Sequence, residues 1–449
     1  MFYINPNIEL DAALLKKMFN RFHLEVAPRL RKYKDYYDGR QEILKKAYAD
    51  PTKPCNKTVI NYMKNICDIY CGYLATPGYI TYTSNDDIDE IMNILRYNDY
   101  QTQDGDFLLD ALVYGVAAEL MYIDENAQTR FRSVNPLNCF GICDDSLTGD
   151  LLYFVRFYRE NEWDDSNTYL VDVYGAATIK HYKMAGFNGA LTYISEEPHY
   201  FSQVPANIFT LPDEKSIFDC VMALQDTVNQ IVSAETDDLQ SFVDAYLTLT
   251  GADLDEEDAK QMRQNRILQL PEGAQAAWLT KNANDTQIEN ILKRLHEAIY
   301  RIAACPDFSA ESFVGGVSSG IAIRYRLTGC ETRAGKIEGS MKKALQRRIE
   351  LICGVAALKY GEEVFRDIKI DFKRNIPDDI TATINLINSL KGSVSDKTLL
   401  GLLPFIDDAE AELEAVEAQK QANMAAYGLG NFHSNEEDDE EWITIGLTE

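Results

Sequence analysis

Residues 316–320 read Gly-Val-Ser-Ser-Gly, the G-x-S-x-G spacing that presents a nucleophilic serine in α/β-hydrolases. Such a serine follows a buried strand and needs a histidine later in the chain to take its proton. The residues before Ser318 are largely polar and do not form the apolar run of a buried strand. The one later histidine, His433, stands beside an acidic run. We therefore predict that Ser318 belongs to a loop and is not a nucleophile.

Four pairs of adjacent aspartates could supply carboxylate ligands for the magnesium ions of a nuclease. No pair shares a histidine or lysine context with another, so helix caps and solvated turns are the simpler interpretation. The chain also lacks the G-x-x-x-x-G-K-[ST] phosphate-binding loop of an ATP-driven motor. The pairs are Asp144/Asp145, Asp237/Asp238, Asp378/Asp379 and Asp407/Asp408.

Nine cysteines are scattered along the chain without a C-x-x-C pair. Cys67/Cys71 and Cys139/Cys143 have the i, i+4 spacing of half a metal site, but the five histidines form no matching motif. We predict reduced structural thiols, typical of a cytosolic compartment, and neither a metal nor a cofactor.

Length and composition predict a globular protein of two or more domains. The chain has 449 residues, of which 46% are hydrophobic and 11% aromatic. It contains no apolar run of about 18 residues, so no membrane span is expected. Its first residues lack the apolar core and cleavage site of a secretory signal, so we expect the protein to remain where it is made.

The formal net charge of −27 argues against a protein that grips DNA, because neutralising phosphates requires clustered lysines and arginines. A conduit has the opposite requirement, since an acidic wall repels the DNA backbone and prevents tight non-specific binding. The charge is therefore compatible with a pore, although many proteins without a nucleic-acid partner are equally acidic.

Two long helical patterns dominate the middle of the chain. The first runs from Ser216, a candidate N-cap, to a stop at Gly251, and the second from Asp285 to Ala304. We expect them to pack as an antiparallel pair through apolar stripes. The stripe residues include Val221, Leu224, Val228 and Ile231 on the first pattern and Ile288, Ile291, Leu295 and Ile302 on the second.

Short strand-like runs between these helices, at 266–271 and 276–280, predict a small β tip. The residues after the second helix, up to Gly320, are rich in glycine and serine and predict a flexible loop. Residues 321–359 contain no proline and predict a long helix, which four glycines could bend.

That long helical segment is basic, and its charge has two possible explanations. It could face phosphates, or it could pack against acidic surfaces of its own or a neighbouring subunit, which we favour. Nine basic residues stand against three acids: Arg324, Arg326, Arg333, Lys336, Lys342, Lys343, Arg347, Arg348 and Lys359 against Glu331, Glu338 and Glu350.

The first 215 residues predict an α+β body. Helical spacing covers 10–37, 59–74 and 103–118, and alternating runs at 151–158, 168–174, 177–182 and 191–195 predict an antiparallel meander. Beyond residue 360, a strand is expected at 365–372 and helices at 381–390, 395–403 and 407–426. The acidic run at 434–441 predicts a disordered tail.

Several weak motifs in a fixed order resemble the portal, or head-to-tail connector, proteins of tailed bacteriophages, of the type found in phage SPP1. The resemblance covers most of the chain up to about residue 420. It rests on the sequences Tyr-Lys-Asp-Tyr-Tyr-Asp-Gly-Arg at 33–40, Asn-Lys-Thr-Val-Ile-Asn-Tyr-Met-Lys-Asn-Ile-Cys-Asp at 56–68, Gly-Tyr-Leu-Ala-Thr-Pro at 72–77, Asp-Asp-Leu-Gln-Ser-Phe at 237–242 and Ser-Phe-Val-Gly-Gly-Val-Ser-Ser-Gly-Ile-Ala-Ile-Arg at 312–324.

The resemblance implies a mainly helical α+β portal fold. Its parts would be a wing at 1–215 completed by 304–375, two stem helices at 216–250 and 285–303, a β clip at 251–284, a helical crown at 376–433 and the tail at 434–449. A tunnel loop and a cationic helix face would border the channel, with the candidate residues Asp307, Glu311, Ser312, Gly315, Gly316, Ser318, Ser319, Lys293, Arg294 and Arg301.

The resemblance also implies partners and a place. Subunits would close into a ring, typically of twelve, at one capsid vertex of the virion, assembled in the host bacterial cytoplasm. Double-stranded DNA would pass through the axis without sequence specificity. Terminase, head-completion, capsid and scaffold proteins would dock on the ring, which would have no enzymatic activity.

Two other classes remain open from the residues alone. A nucleic-acid-processing enzyme would need a convergent acid or metal cluster, which the sequence does not display. Another virion structural or adaptor protein would usually be much shorter.

Overall fold

The computed structural model describes residues 1–51, 53–161, 163, 167–187, 189–242, 246–250, 273, 275–279, 285–308, 320–360, 367–374, 380–403, 406 and 409–426. The chain divides into two compact units, Met1–Asn375 and Ile376–Glu449. Helices and mixed sheets occur together in the first unit, so the predicted α+β class is confirmed.

Helices account for much of the first unit. The described ones are α1 (Ala12–Arg21), α2 (Ala27–Tyr37), α3 (Tyr62–Leu74), α4 (Asp89–Tyr97), α5 (Tyr100–Tyr114), α6 (Met222–Phe242), α7 (Asp285–Ile302) and α8 (Gly320–Tyr360). A π-helical turn at Phe22–Val26 joins α1 to α2 just before Pro28, whose ring would clash with a carbonyl in a regular helix. The helix predicted at 10–37 is thus present, with Asp11 as its N-cap.

Thirteen described strands form four sheets. They are β1 (Phe2–Ile4), β2 (Ile80–Thr83), β3 (Val116–Ile123), β4 (Thr129–Val134), β5 (Cys139–Asp144), β6 (Leu151–Arg159), β7 (Thr168–Tyr174), β8 (Thr178–Ala185), β9 (Leu191–Pro198), β10 (Ala206–Thr210), β11 (Tyr246–Thr250), β12 (Gln275–Leu279) and β13 (Lys369–Phe372). The largest sheet has the order β1-β5-β6-β7-β8-β9, in which β6 to β9 are the predicted antiparallel meander. The other sheets are β10-β3-β4, β11-β12 and β13-β2.

The helix predicted at 103–118 is wrong at its C-terminal end. It stops at Tyr114, and Ala117 and Ala118 belong to β3. Gly115 ends it with a φ of 80°, and a Cβ there would lie 2.6 Å from the backbone of Glu214. Only glycine combines the left-handed conformation with that close approach.

The first long central helix is also shorter than predicted. The segment opens with a 3₁₀ turn at Asp219–Val221, α6 ends at Phe242, and Tyr246–Thr250 is strand β11, paired antiparallel with β12. Ser216 is not the N-cap of α6, which begins at Met222; its hydroxyl donates to the carbonyl of Leu112 at 2.9 Å and accepts the N–H of Phe218 at 3.4 Å. The β tip is therefore built partly from residues that we assigned to the helix.

Two apolar layers surround the six-stranded sheet. Phe19 and Phe22 of the first helical segment pack against Phe140 and Phe157 of the sheet, with ring centroids 5.1–5.6 Å apart. On its other side, Phe154 and Tyr174 pack against Ala118 and Leu120 of the three-stranded sheet. Burial of these side chains fixes the two sheets against each other.

Residues 320–360 form one helix of 41 residues, as predicted, and it continues through all four glycines. Strand β13 lies within the strand predicted at 365–372. In the second unit, α9 (Ile380–Leu390), α10 (Asp396–Leu400) and α11 (Ala409–Ala426) match the predicted helices within a few residues. The acidic run at 434–441 lies outside the described residues.

Candidate functional site

Helices α6 and α7 contact each other and carry the predicted apolar stripes. On α6 and the turn before it, Val221 and Val228 are buried within the subunit, whereas Leu224 and Ile231 are only partly buried. The α7 stripe is more open: Ile288 and Leu295 are partly buried, and Ile291 and Ile302 are 38% and 50% exposed. An apolar stripe left open on an amphipathic helix is a surface suited to another helix or subunit.

A row of four polar side chains on α6 was missed by the sequence analysis. Gln225, Asn229, Ser233 and Asp237 are spaced four residues apart, so they share one helix face, and all four are buried. Their side-chain oxygens accept hydrogen bonds from backbone N–H groups of the extended segment 56–62, as the carbonyl groups of a neighbouring strand would. This polar row fixes α6 to the N-terminal part of the chain.

The middle of the polar row satisfies several buried groups at once. Asn229 Oδ1 accepts the N–H of Ile60 at 3.0 Å and the amide of Gln225 at 3.0 Å. Its own amide donates to Gln41, which is also buried. The Ile60 N–H and the Gln41 oxygen both rely on Asn229, and the Gln225 amide also donates to the carbonyl of Ile60, so the arrangement specifies how α6 sits on the segment.

Asp237 ends the polar row in a charged network. Its carboxylate accepts from the ammonium of Lys46 at 2.6 Å, from the backbone N–H of Asn56 at 2.6 Å and from the Asn56 amide at 2.8 Å. Desolvation raises the pKa of this carboxyl, but these bonds outweigh it and lower the pKa to about 2. The prediction of a cap or solvated turn is wrong for Asp237.

Replacing Asp237 with asparagine should make the free energy of unfolding depend less on pH in the acidic range. The folded pKa of about 2 lies below the usual value, so the carboxylate stabilises the fold above about pH 4 and loses this contribution as the pH falls towards 2. Urea unfolding of both proteins between pH 7 and pH 3 measures the difference. An unchanged pH slope in the variant would contradict this role of Asp237.

Asp144, in another aspartate pair, does belong to a turn. Its carboxylate accepts from the Ser146 hydroxyl at 2.8 Å and from the Asp150 N–H at 3.1 Å, which closes the connection between β5 and β6. The pairs at 378–379 and 407–408 lie outside the described residues. Within the described part of the chain, no group of three or more His, Cys, Asp or Glu side chains could hold a metal ion.

Most cysteines are buried structural thiols. Cys67 on α3 is fully buried, and burial raises the pKa of its thiol well above the usual range. Burial likewise raises the pKa of Cys71 and Cys330 to about 11. Thiols with raised pKa values remain protonated near neutral pH and are poor nucleophiles.

The predicted channel residues are only partly described. Lys293, Arg294 and Arg301 are exposed on α7. Glu311, Ser312, Gly315, Gly316, Ser318 and Ser319 lie outside the described residues, and with them the G-x-S-x-G sequence.

Asp307 is described, and it pairs within its own chain. Its carboxylate lies 2.7 Å from Nε2 of His296 on α7, and Nδ1 of that ring lies 3.1 Å from the hydroxyl of Tyr62. Tyr300 packs on the same imidazole, with ring centroids 4.9 Å apart. These contacts fix the chain just after α7, where the predicted tunnel loop begins.

The basic side chains of α8 are mostly engaged within the subunit. Arg333 donates to the carbonyls of Ala303 and Ile217 at 2.7 and 2.6 Å. Lys342 pairs with Glu338 at 2.9 Å. These contacts agree with the interpretation that α8 packs against acceptors of its own subunit, while Lys336 and Lys343 remain exposed.

Arg348 of α8 is the centre of a fully buried charge cluster that the sequence analysis did not find. Its guanidinium binds Glu119 of β3 through two nitrogens, at 2.9 and 2.8 Å, and also binds Asp104 of α5. The guanidinium carbon lies 4.4 Å from the ring centroid of Phe131. Burial raises the pKa of Asp104, because desolvation outweighs the attraction of the arginine. The cluster joins α8 to the three-stranded sheet.

Comparison with known proteins adds a family to this geometry. The family model described as phage portal protein, SPP1 Gp6-like, matches residues 17–426 of the chain. A search of curated proteins found no match. Within the part that the structure covers, no helix is long and apolar enough to cross a membrane.

Proposed function

The chain belongs to the SPP1 Gp6-like family of phage portal proteins, and we propose that its copies close into a ring of twelve around the path of the DNA. As a phage portal subunit, it is a structural component of the head-to-tail connector and acts in DNA packaging. Membership of the family places it at the capsid vertex of the virion.

We assign the parts of the portal with boundaries adjusted to the observed elements. Residues 1–215 and 303–375 form the wing, α6 and α7 the stem, the intervening residues the clip and 376–433 the crown. Three observations support this assignment: α6 and α7 contact each other, β11 and β12 pair between them in sequence, and the chain divides into two units after Asn375.

The main observation that supports ring formation is that the apolar stripe of α7 is partly exposed in the single subunit. Ile291 and Ile302 are 38% and 50% exposed in the single subunit, so burying the rest of each side chain contributes roughly a third to a half of the 1.5–3 kcal/mol for full burial, or about 0.5–1.5 kcal/mol each. In a ring, each subunit can cover the stripe of the next one. Heterologous contacts of this kind form a ring with a fixed number of subunits when the rotation from one subunit to the next closes, and an open filament when it does not.

The net charge of −27 per subunit is compatible with the proposed DNA path. In this proposal an acidic wall repels the phosphates and lets DNA slide, and the exposed cations of α7 provide transient contacts. Residues 308–319 form the tunnel loop in this proposal. In this proposal Asp307 holds the start of the loop through its contact with His296.

The partners proposed for the ring are those of a portal: terminase at the clip during packaging, head-completion proteins afterwards, and capsid and scaffold proteins around the wing. Assembly takes place in the host bacterial cytoplasm. In this proposal the ring itself neither hydrolyses ATP nor cuts DNA, because these reactions belong to the motor that docks on it.

Ile291→Asp should prevent ring closure while leaving the subunit folded, because a carboxylate would be buried without a partner in the ring but solvated in the monomer. Asn290→Asp is the matched control, since it adds the same charge at the neighbouring exposed position of α7. Size-exclusion chromatography with light scattering measures assembly, and circular dichroism measures folding. If the Ile291→Asp variant assembled as the wild type does, this stripe would not be part of the ring interface.

A further inference from the structure

A cleft of about 550 Å³ opens where the three-stranded and six-stranded sheets separate. Leu120 of β3 and Tyr174 of β7 close its inner end, where they join the apolar core between the sheets. Its volume lies in the range of about 300–1,000 Å³ that is typical of binding sites. The cleft belongs to the first unit and is remote in sequence from the stem and the tunnel loop.

Two arginines from different sheets line this cleft. Arg132 of β4 is exposed, and its guanidinium has no hydrogen bond or ion pair to any residue that the structure describes. Arg156 of β6 stacks on Tyr158, with its guanidinium carbon 4.5 Å from the ring centroid. Its ion pair with Asp172 is long, with 3.8 Å between the guanidinium and Oδ2, and the other oxygen of that carboxylate lies 2.7 Å from Nδ1 of His181. Both guanidinium groups therefore have donors available.

The rest of the lining favours an anionic group with some apolar surface. The Asn138 amide and the Tyr122 hydroxyl have no partner among the described residues, so they add donors at the rim. The aromatic rings of Tyr122, Tyr158 and Tyr174 supply apolar walls. No aspartate or glutamate is among the described lining residues, although the chain has 71 acids and 44 lysines and arginines. The cleft is thus a cationic spot on an acidic protein.

We propose that this cleft binds a carboxylate side chain on an extended acidic segment of a protein partner. An arginine fork pairs with a carboxylate through two parallel hydrogen bonds, and tyrosine and arginine dominate the binding energy of protein interfaces. Duplex DNA is a poorer fit, since its affinity depends on many clustered cations and this subunit carries a net charge of −27. The site does not depend on ring stoichiometry or on the assignment of the DNA path.

The test uses the full-length protein and a fluorescein-labelled peptide of eight glutamates, with binding followed by anisotropy at low ionic strength. Arg132→Gln and Arg156→Gln should each weaken binding by about tenfold to a hundredfold, the range for losing a hydrogen bond to a charged group. Arg130→Gln is the matched control: Arg130 lies two residues from Arg132 on β4, but its guanidinium stacks on Tyr97 at 4.5 Å. The control should bind as the wild type does.

A second probe, an oligothymidylate with the same number of charges, separates an acidic protein segment from a nucleic acid. We expect it to bind more weakly than the peptide and to compete poorly with it. Equal loss of peptide binding in the Arg130 control would show diffuse electrostatic attraction and overturn the proposal. Unchanged binding in both cleft variants, or tighter arginine-dependent binding of the oligothymidylate, would overturn it as well.

Discussion

Arg348→Met should destabilise the subunit by about 3–5 kcal/mol, the cost of removing one partner from a buried ion pair. The side chains of Glu119 and Asp104 are 0% and 2% exposed, and both rely on this guanidinium. Without it, Glu119 is left as a buried charge with no cation, and α8 loses its attachment to β3. Urea unfolding at fixed protein concentration, with wild type in parallel, measures the loss.

A triple variant tests whether the buried charge causes that loss. Adding Glu119→Gln and Asp104→Asn to Arg348→Met removes every charge from the cluster, and most of the stability should return, because a neutral buried cluster has no uncompensated ion. A single Arg348→Met variant as stable as the wild type would contradict the account. So would a triple variant no more stable than the single one.

Asn229→Leu should destabilise the protein by about 3 kcal/mol or more, since an unsatisfied buried polar group costs about 1–3 kcal/mol and this change creates several. The affected groups are the N–H of Ile60 and the side chains of Gln225 and Gln41. Leucine keeps the branched skeleton of the asparagine side chain but carries methyl groups in place of the amide oxygen and nitrogen, so every hydrogen bond of that side chain is lost. Hydrogen exchange at segment 56–62 should increase along with the loss of stability.

Gln230→Leu provides the control for Asn229→Leu. Gln230 is the next residue on α6 and is exposed, so the same type of side-chain change there touches solvent and not the polar row. Its unfolding midpoint should match the wild type. Equal effects of the two substitutions would mean that helix propensity, and not the polar row, determines the stability of this region.

Local patterns predicted the elements whose signals are long and self-contained. The alternation in β6 to β9 and the apolar period of α7 both extend over several repeats, so neighbouring residues alone determine the element type. The element type of residues 246–250 was predicted wrongly, because Leu249 continues the helical spacing of Phe242 and Ala245 and was assigned to the helix. Pairing with residues 275–279 decides the outcome, and that contact is not visible in either segment alone.

The polar row on α6 left a signal that could have been used. Gln225, Asn229, Ser233 and Asp237 recur every four residues beside an apolar stripe, and such a row on a buried face calls for a partner with backbone donors and acceptors. The partner, residues 56–62, lies far away in sequence, and no local pattern identifies it. The same holds for Arg348, whose two carboxylates come from α5 and β3.

The proposed channel-facing residues were predicted only through the resemblance to the family. The resemblance seen in the sequence is confirmed by the family match over residues 17–426. For Asp307, the structure adds a partner that the family pattern does not indicate, because its carboxylate pairs with His296, whose ring in turn contacts Tyr62. A family pattern indicates which segment lies near a channel, but the partners within the subunit decide which side chains remain available.

Electron microscopy of the purified full-length protein tests the ring most directly. We expect closed rings of a single subunit number with an axial hole, formed without DNA or other proteins and lost in the Ile291→Asp variant but kept in Asn290→Asp. A monodisperse monomer over a wide range of protein and salt concentrations, or open filaments in place of closed rings, would contradict the account.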